Sequence, residues 1–209
     1  MRADLLETIV ERSDRLTQNA DGSPTAWSLG KQGLRYIART VRPGMRTLET
    51  GAGVSTVLLT ALGAQHVSIV PNDQVVSRVR QFCSEHDISM DGTQFVIGCS
   101  EDILPRIVLP EVDLFLIDGC HGFPAPFIDW YYGTLWLKVG GVVLIDDIHI
   151  WTGRVLGDFL AEEVEWEHVQ TLDKTAVYRK TGHAHRIKEF MDQPFVKRSG
   201  ISRESEPAV

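Results

Sequence analysis

The sequence predicts a doubly wound, Rossmann-like α/β fold whose mostly parallel sheet ends in antiparallel strands. From Met45 onward, short β-type stretches alternate with stretches in which apolar residues recur at helical spacing. Two β-type stretches, DLFLID and GVVLID, are almost entirely apolar, which is typical of central parallel strands covered on both faces. The stretch VEWEHVQTLDKTAVYRK indicates two strands joined by a turn near residues 172–174, and this pair predicts the antiparallel end of the sheet.

Two helices are predicted before the alternating region. Apolar residues recur at intervals of three and four on both sides of the stretch DGSPT, whose composition indicates a loop. These apolar positions are Leu5, Leu6, Ile9, Val10, Leu34, Ile37 and Ala38. We therefore expect N-terminal helices within residues 3–40.

The alternating region then predicts each element in order. A short strand ends at Glu49, and a glycine turn leads from it into a helix. The later strands are HVSIV, QFVIG, DLFLID and GVVLID, separated by stretches with helical spacing. The apolar positions of those helices are Val54, Val57, Leu58, Ala61, Leu62, Val75, Val76, Val79, Phe82, Cys83, Phe127, Ile128, Tyr131, Tyr132, Leu135, Val155, Leu156, Phe159 and Leu160.

Length and charge limit the domain organisation and the classes of partner that the chain can have. The chain has 209 residues, of which 43% are hydrophobic, so a single domain over residues 1–181 with a polar tail over 182–209 is expected. The net charge is −7 and no basic run is present, which argues against nucleic acid or an anionic membrane as partner and favours a small molecule. The N-terminal stretch lacks the continuous apolar segment of a signal peptide, so a cytoplasmic location is expected. Assembly into a homo-oligomer is compatible with these features.

The chain has three cysteines, Cys83, Cys99 and Cys120. Their odd number and the absence of a CxxC spacing indicate neither a disulfide framework nor a zinc site. We expect all three to be small buried hydrophobic residues.

The turn LETGAGVST at residues 48–56 allows several interpretations. A phosphate-binding P-loop is excluded because no lysine stands at the required spacing. A dinucleotide fingerprint is weakened because Thr56 occupies the third glycine position. An adenosyl cofactor over the GxG turn is the third interpretation, since Gly51 and Gly53 let the backbone approach a ligand. A turn with no ligand at all is the fourth.

Acidic residues follow three of the predicted strands. Glu49 closes the first strand, Asp118 follows the fourth, and Asp146 with Asp147 follows the fifth. Because ligands bind at the carboxyl ends of the strands in this architecture, we expect the four carboxylates to meet at one edge. Partly desolvated carboxylates of like charge require a cation, which is an ammonium group, a metal ion or a guanidinium.

With these motifs the chain resembles the class I S-adenosylmethionine-dependent methyltransferases over about residues 28–181. The matching stretches are LETGAGVST, GCSEDILP, DLFLIDGCHG and LKVGGVVLIDD, in the order and spacing of that family. The resemblance implies a seven-stranded sheet with a reversed hairpin at its end. It also implies that the cofactor S-adenosylmethionine lies against Glu49, Gly51, Gly53, Ser55 and Asp118, with Ser100 and Glu101 near its adenine.

Within this superfamily the chain is most similar to the small-molecule O-methyltransferases of the catechol and caffeoyl-coenzyme A type. That resemblance implies a divalent metal at Asp118, Asp146 and Asp147, and three carboxylates favour Mg²⁺ over zinc. His121 stands three residues after Asp118, where the catechol-type enzymes carry a catalytic lysine, and its imidazole suits a general base. We therefore interpret His121 and Asp118 as catalytic, and His149 as a weaker candidate for a supporting contact.

One position departs from the family pattern. The second strand ends in Val70 rather than in the acid that binds both ribose hydroxyls. Either Asn72 or Asp73 makes that contact from the next turn, or the ribose is held by backbone and water contacts at lower affinity. The departure favours one alternative, a non-catalytic protein that binds an adenosyl ligand. It counts against a second alternative, a nicotinamide oxidoreductase, because that class uses an acid at the same point, and Thr56 and the acid pattern disfavour it as well. A metal-independent methyltransferase is a further alternative.

The acceptor is expected to be a small-molecule hydroxyl. Aromatic residues in the loops that form acceptor pockets in this fold are Trp27, Phe123, Trp130 and Trp151. Sugar, polyketide and phenolic hydroxyls are equally compatible with them.

Overall fold

A computed structural model describes residues 7–9, 29–183 and 188–201. Its centre is a seven-stranded sheet in the order β3-β2-β1-β4-β5-β7-β6. The strands are β1 Arg46–Thr50, β2 Gln65–Val70, β3 Thr93–Ile97, β4 Val112–Ile117, β5 Leu137–Ile145, β6 Trp166–Leu172 and β7 Thr175–Lys180. Strands β1 to β5 pair in parallel, and β7 runs antiparallel to both β5 and β6. The predicted doubly wound α/β fold with an antiparallel end is therefore confirmed.

One helix precedes β1, four helices connect the parallel strands, one helix leads from β5 to β6, and one follows β7 in the described residues. They are α1 Lys31–Thr40, α2 Val54–Ala61, α3 Asp73–Glu85, α4 Ser100–Ile103, α5 Ala125–Gly133, α6 Trp151–Glu162 and α7 Pro194–Ile201. Residues 7–9 are also helical, and Ile9 is buried in the core. The rest of the first predicted N-terminal helix, and Trp27 with it, lies outside the described residues.

The sheet is covered on both faces because successive strand residues point to opposite sides. In β4, Leu114 and Leu116 belong to one buried apolar cluster, which also includes Leu34 of α1. Phe115 and Ile117 belong to the cluster on the other face. A strand buried on both faces is typically apolar on both, which explains the unbroken run LFLI at residues 114–117.

The strand order reverses beside β1. This strand has β2 on one side and β4 on the other. Strands β2 and β3 extend the sheet in one direction from β1, and β4 and the later strands extend it in the opposite direction. Thr50, the last residue of β1, is level with Ile69 of β2 and Ile117 of β4. The loops after β1 and β4 therefore diverge from neighbouring points, which opens a crevice of the kind in which this architecture binds ligands.

The segment after residue 182, predicted as a polar tail, includes a 3₁₀ turn at Phe190–Asp192 and helix α7. Phe195 packs edge-on against Phe159 of α6 with 6.2 Å between the ring centroids. Lys188 pairs with Glu163 and Glu165 at 2.6 and 2.5 Å. The described part of the tail therefore lies against the end of α6 and the start of β6.

Candidate functional site

The glycine turn after β1 contacts the loop after β4 directly. Gly51 has φ +98°, and a Cβ atom at this position would lie 2.2 Å from the carbonyl oxygen of Asp118. Its amide donates a 2.8 Å hydrogen bond to the carbonyl of Ile69. Both the backbone conformation and the space therefore require glycine. Gly53 has an extended backbone, and its amide donates to the Thr56 hydroxyl at 2.8 Å.

Glu49 is fully buried beneath this turn and its carboxylate has protein partners. The Ser55 hydroxyl donates to Oε1, and the Thr56 hydroxyl donates to Oε2 at 2.6 Å. His66 of β2 brings Nε2 to 3.3 Å from Oε2, while its Nδ1 lies 2.9 Å from the Thr47 hydroxyl. The predicted site residues Glu49 and Ser55 thus bind each other and hold the turn in place. His66 carries no signal in the sequence, because a histidine inside a strand has no distinctive spacing.

The predicted gathering of acids is present at the carboxyl edge of the sheet. Burial raises the pKa of the Asp118 carboxyl well above its usual range, and the negative charges of Asp146, Glu49 and Asp147 raise it further. The positive charge of Lys174 acts in the opposite direction. In the described part of the chain, the Asp118 side chain forms no hydrogen bond or ion pair. This carboxyl is therefore available to a ligand, and the surrounding negative charge favours a cationic one.

Lys174, which no motif of the sequence indicates, brings a positive charge to Asp146 and Asp147. Its ammonium lies 2.6 Å from Asp147 Oδ1 and 3.2 Å from Asp146 Oδ2. The Thr175 hydroxyl donates to Asp146 Oδ1 at 2.5 Å. Burial lowers the pKa of Lys174, but the two carboxylates outweigh that effect and hold the pKa above its usual value. The ammonium is therefore charged throughout the physiological pH range.

This arrangement does not fit the divalent metal predicted at Asp118, Asp146 and Asp147. Within the described ranges, no group of three or more His, Cys, Asp or Glu side chains is placed to hold a metal ion. The Lys174 ammonium lies between Asp146 Oδ2 and Asp147 Oδ1, where it occupies the place of a cation shared by these two oxygens. A divalent ion would meet a positive charge at contact distance there. The side chains as they lie here therefore do not fit the Mg²⁺ site expected from the sequence.

His121 lies beside the same acidic pair. Its Nε2 atom is 3.1 Å from Asp147 Oδ2, and its side chain is 26% exposed. The Thr152 hydroxyl on α6 donates to the His121 carbonyl at 2.6 Å, which fixes the loop after β4. Asp147 has φ +54°, a left-handed conformation that aspartate tolerates better than most residues. His149 is 57% exposed and its Nδ1 lies 3.6 Å from Asp147 Oδ1, so it contacts the acid at the rim.

Ser100 and Glu101, predicted near the adenine, begin helix α4. Ser100 is buried and Glu101 is exposed. Next to Ser100 lies Asp129 of α5, which is fully buried with neither carboxylate oxygen in a hydrogen bond of good geometry. Burial raises the pKa of Asp129 to about 6, and the hydroxyls of Ser100 and Thr50 partly oppose that rise. An acid within the aromatic helix stretch FIDWYY was the sequence signal for this residue, and it was missed.

The end of β2 has no acid that faces the crevice. Val70 is buried. Asn72 Oδ1 accepts a 2.8 Å hydrogen bond from the amide of Gln74 and so caps helix α3, while Asp73 is exposed in the first turn of that helix. The side-chain oxygen of Asn72 is thus engaged in the helix cap, whereas the Asp73 carboxylate is exposed.

Two of the four aromatic residues proposed for the acceptor pocket are exposed beside His121. Phe123 and Trp151 are 71% and 54% exposed, with ring centroids 6.3 Å apart. Trp130 instead packs edge-on against Phe159 in the core, with centroids 5.3 Å apart. The exposed pair forms an apolar surface between the loop that carries His121 and the first turn of α6.

The two exposed thiols correct the expectation for the cysteines. Cys83 is buried as predicted, whereas Cys99 and Cys120 are exposed in the loops after β3 and β4. Burial raises the pKa of Cys83 to about 11. The expectation was wrong for the two loop cysteines because both stand in exposed loops rather than in an element packed against the core.

Comparison with known proteins agrees with this architecture. Residues 48–148 match the family model described as a methyltransferase domain, a range that contains all four acids of the carboxyl edge. No curated protein matches the chain.

Solved structures match over most of the chain. TomG, an O-methyltransferase from Streptomyces achromogenes solved with SAM, is 17% identical over 83% of this chain and 90% of its own, with a TM-score of 0.62. The O-methyltransferase NovP is 14% identical over 86% of this chain and 98% of its own, with a TM-score of 0.66. The SAH-bound methyltransferase PaMTH1 from Podospora anserina is 20% identical over 87% of this chain and 89% of its own, with a TM-score of 0.62. At these identities the likeness is evidence for the fold.

Proposed function

We propose that this chain, a methyltransferase by its matching domain over residues 48–148 and its sheet order, transfers a methyl group from S-adenosylmethionine to a hydroxyl of a small molecule. The family resemblance is confirmed by the domain match and by a fold shared with O-methyltransferases. The nature of the acceptor atom and the roles of individual residues are parts of the proposal.

The observation that carries the proposal is Asp118, which lies beside the glycine turn and whose side chain forms no hydrogen bond or ion pair with the described residues. Asp118 lies among three other carboxylates, and the Gly51 backbone passes against its carbonyl. A ligand that combines positive charge with a flat polar nucleoside suits this crevice. Its positive charge relieves the repulsion among the four carboxylates, and Gly51 permits the ligand to approach the backbone closely. S-adenosylmethionine carries such charges on its ammonium and its sulfonium, and the sulfonium supplies an electrophilic methyl group.

In this proposal, residues along the carboxyl edge bind and orient the cofactor. Gly51, Gly53 and Asp118 contact the methionine part, and Glu49 with Ser55 keeps the turn in its shape. Ser100 and Glu101 lie at the adenine end, with Asp129 beneath Ser100. The site thus runs along the carboxyl edge from β3 to β4.

His121 is the proposed general base. Its Nε2 atom faces Asp147, so its Nδ1 atom is left to accept the proton of the acceptor hydroxyl. The imidazole is partly exposed, as a base that meets an incoming substrate must be. The hydroxyl oxygen gains nucleophilicity as its proton leaves, which general-base catalysis requires.

The acceptor is proposed to be a small, partly apolar molecule. Phe123 and Trp151 offer ring surface beside His121, and rings bind flat apolar groups at low entropic cost. The net charge of −7 disfavours nucleic acid. None of the helices in the described ranges is both long and apolar enough to cross a lipid bilayer. A cytoplasmic location remains part of the proposal.

A second candidate is a non-catalytic protein that binds an adenosyl ligand. Val70 favours it, because the end of β2 lacks the acid expected to hold the ribose. Such a protein would bind the nucleoside and leave hydroxyl acceptors unchanged.

Calorimetry with S-adenosylhomocysteine, and separately with NAD, tests the cofactor assignment. We expect binding of the first and none of the second, and Asp118→Asn should weaken it while Asp192→Asn on the remote 3₁₀ turn should not. Transfer of a radiolabelled methyl group from S-adenosylmethionine to a panel of phenolic, sugar and polyketide hydroxyl compounds tests catalysis. Nucleoside binding without transfer to any of them would favour the non-catalytic protein, and binding of NAD alone would refute both.

A further inference from the structure

We propose that the Lys174 ammonium is the resident cation of the Asp146 and Asp147 pair and replaces a divalent metal there. The structural part of this inference stands on the ion pairs alone. Its consequence for catalysis, that proton removal from the acceptor proceeds without a metal, rests on the proposed function.

The ammonium is held by both acids at once. It contacts Asp147 Oδ1 at 2.6 Å and Asp146 Oδ2 at 3.2 Å, and both carboxylates are buried. Two buried carboxylates on consecutive residues repel each other, so a positive charge between them is needed for both to remain ionised. Lys174 meets that need within the chain.

Hydrogen bonds of the turn between β6 and β7 fix the position of Lys174. Lys174 lies in the two-residue turn between β6 and β7, and its carbonyl accepts a 2.9 Å hydrogen bond from the amide of Ile148. Asp173, the other turn residue, has φ +52° and accepts a 2.6 Å hydrogen bond from the side chain of Gln32 on α1. The turn is therefore fixed against the loop after β5 and against α1.

A metal and the lysine compete for the same oxygens. Mg²⁺ binds carboxylate oxygens at about 2.0–2.1 Å and requires a near-octahedral set of ligands. An ion on Asp146 Oδ2 and Asp147 Oδ1 would lie in contact with the ammonium, so the lysine would have to leave first. The side chain is only 21% exposed, and leaving would break both ion pairs.

The replacement changes the role of Asp147. An ammonium stabilises carboxylates but does not coordinate an acceptor oxygen or lower its pKa as a Lewis acid does. Asp147 Oδ2 stays available to His121, so Asp147 is a positioning residue for the imidazole. In this chain the hydroxyl proton is accepted by His121 alone.

Binding of Mn²⁺, followed by the electron paramagnetic resonance signal of the free ion, tests the structural part. The probe is compared on the wild-type protein, Lys174→Met, Lys174→Arg and the control Lys138→Met, which also frees an acid, Asp113, but at the surface. We expect wild type, Lys174→Arg and Lys138→Met to bind Mn²⁺ no more tightly than about 1 mM, the weak end of protein cation sites. Lys174→Met should bind at least about tenfold more tightly, since it leaves two buried acids uncompensated.

Wild-type binding as tight as that of Lys174→Met would overturn the proposal, and so would a folded Lys174→Met with no gain. Should Lys174→Met fail to fold, micromolar binding by the wild type or by Lys174→Arg would still overturn it, and millimolar binding by both would support it. The catalytic part predicts that EDTA changes the methyl-transfer rate of the wild type by less than about twofold. Loss of transfer in EDTA refutes this inference, whereas absence of S-adenosylhomocysteine binding refutes the proposed function and leaves the Mn²⁺ result valid.

Discussion

His121 Nε2 lies 3.1 Å from Asp147 Oδ2, although the two residues follow different strands. His121 belongs to the loop after β4 and Asp147 to the loop after β5, and these strands are neighbours in the sheet. The contact joins the proposed base to the acid that Lys174 also binds. Asp147 thus links the hairpin turn that carries Lys174 to the loop that carries His121.

Replacing His121 by alanine tests its role as the base. We expect His121→Ala to lower kcat by about 10²- to 10⁴-fold, the usual contribution of a general base, with an unchanged Kd for S-adenosylhomocysteine. The matched control is His168→Ala, an exposed histidine of β6 that contacts Thr171 and Tyr178. An unchanged kcat in His121→Ala, or an equal loss in both variants, would remove the proposed role.

Gly51→Ala tests the crossing of the two loops. The new Cβ would lie 2.2 Å from the Asp118 carbonyl oxygen, so the loop after β4 must move, and we expect the free energy of unfolding to fall by about 2–4 kcal/mol. Gly44→Ala is the control, because Gly44 also has a positive φ of +82° but nothing within 4 Å of the new atom. Denaturation in urea measures both, and similar losses would mean that backbone conformation rather than crowding dominates at Gly51.

The same Gly51 variant should also lose affinity for S-adenosylhomocysteine. Moving the Asp118 backbone displaces the carboxyl that we place against the methionine part of the cofactor. Calorimetry on the folded fraction would show this loss in Gly51→Ala and not in Gly44→Ala. Equal affinity in the two variants would place the cofactor away from this crossing.

Much of this architecture was accessible from residue patterns, because burial on two faces favours an apolar run such as LFLI and helices impose their own spacing. The meeting of Glu49, Asp118, Asp146 and Asp147 was predictable for a related reason. Carboxyl ends of parallel strands share one edge, so the strand assignment alone brings these acids together.

Lys174 was not predictable in the same way. It stands 27 residues after Asp147, and its approach depends on the hairpin of β6 and β7 folding back beside β5. A lysine in a turn is ordinarily a solvated surface residue, so its type carried no signal. The metal site was expected because the acids are visible in the sequence and their cation is not.

The thiols provide a test of the crevice that needs no ligand. We expect two thiols, Cys99 and Cys120, to react with Ellman's reagent in the folded protein, because both are exposed. Cys83 should react only after unfolding, since it is buried and its pKa is raised to about 11. Reaction of three thiols in the folded state, or of fewer than two, would contradict the structure of these loops.

Asp129 should make stability depend on pH. Burial raises its pKa from 3.8 to about 6 in the folded protein, so folding favours the protonated carboxyl. The sign follows from proton linkage: the folded state binds more protons between these two values, and stability is lost as the pH rises through that range. A shift of about two units corresponds to about 3 kcal/mol above pH 6, and to almost nothing below pH 4.

Asp129→Asn removes the ionisation and keeps the shape of the side chain. Its free energy of unfolding relative to the wild type should therefore rise by up to about 3 kcal/mol from pH 4 to pH 7, as measured by urea denaturation at each pH. Asp192→Asn, on the exposed 3₁₀ turn, is the control and should show no such rise. A flat difference for Asp129→Asn would mean that this carboxyl has partners in solution that compensate its charge, and a difference that falls with pH would mean that a cation reaches it.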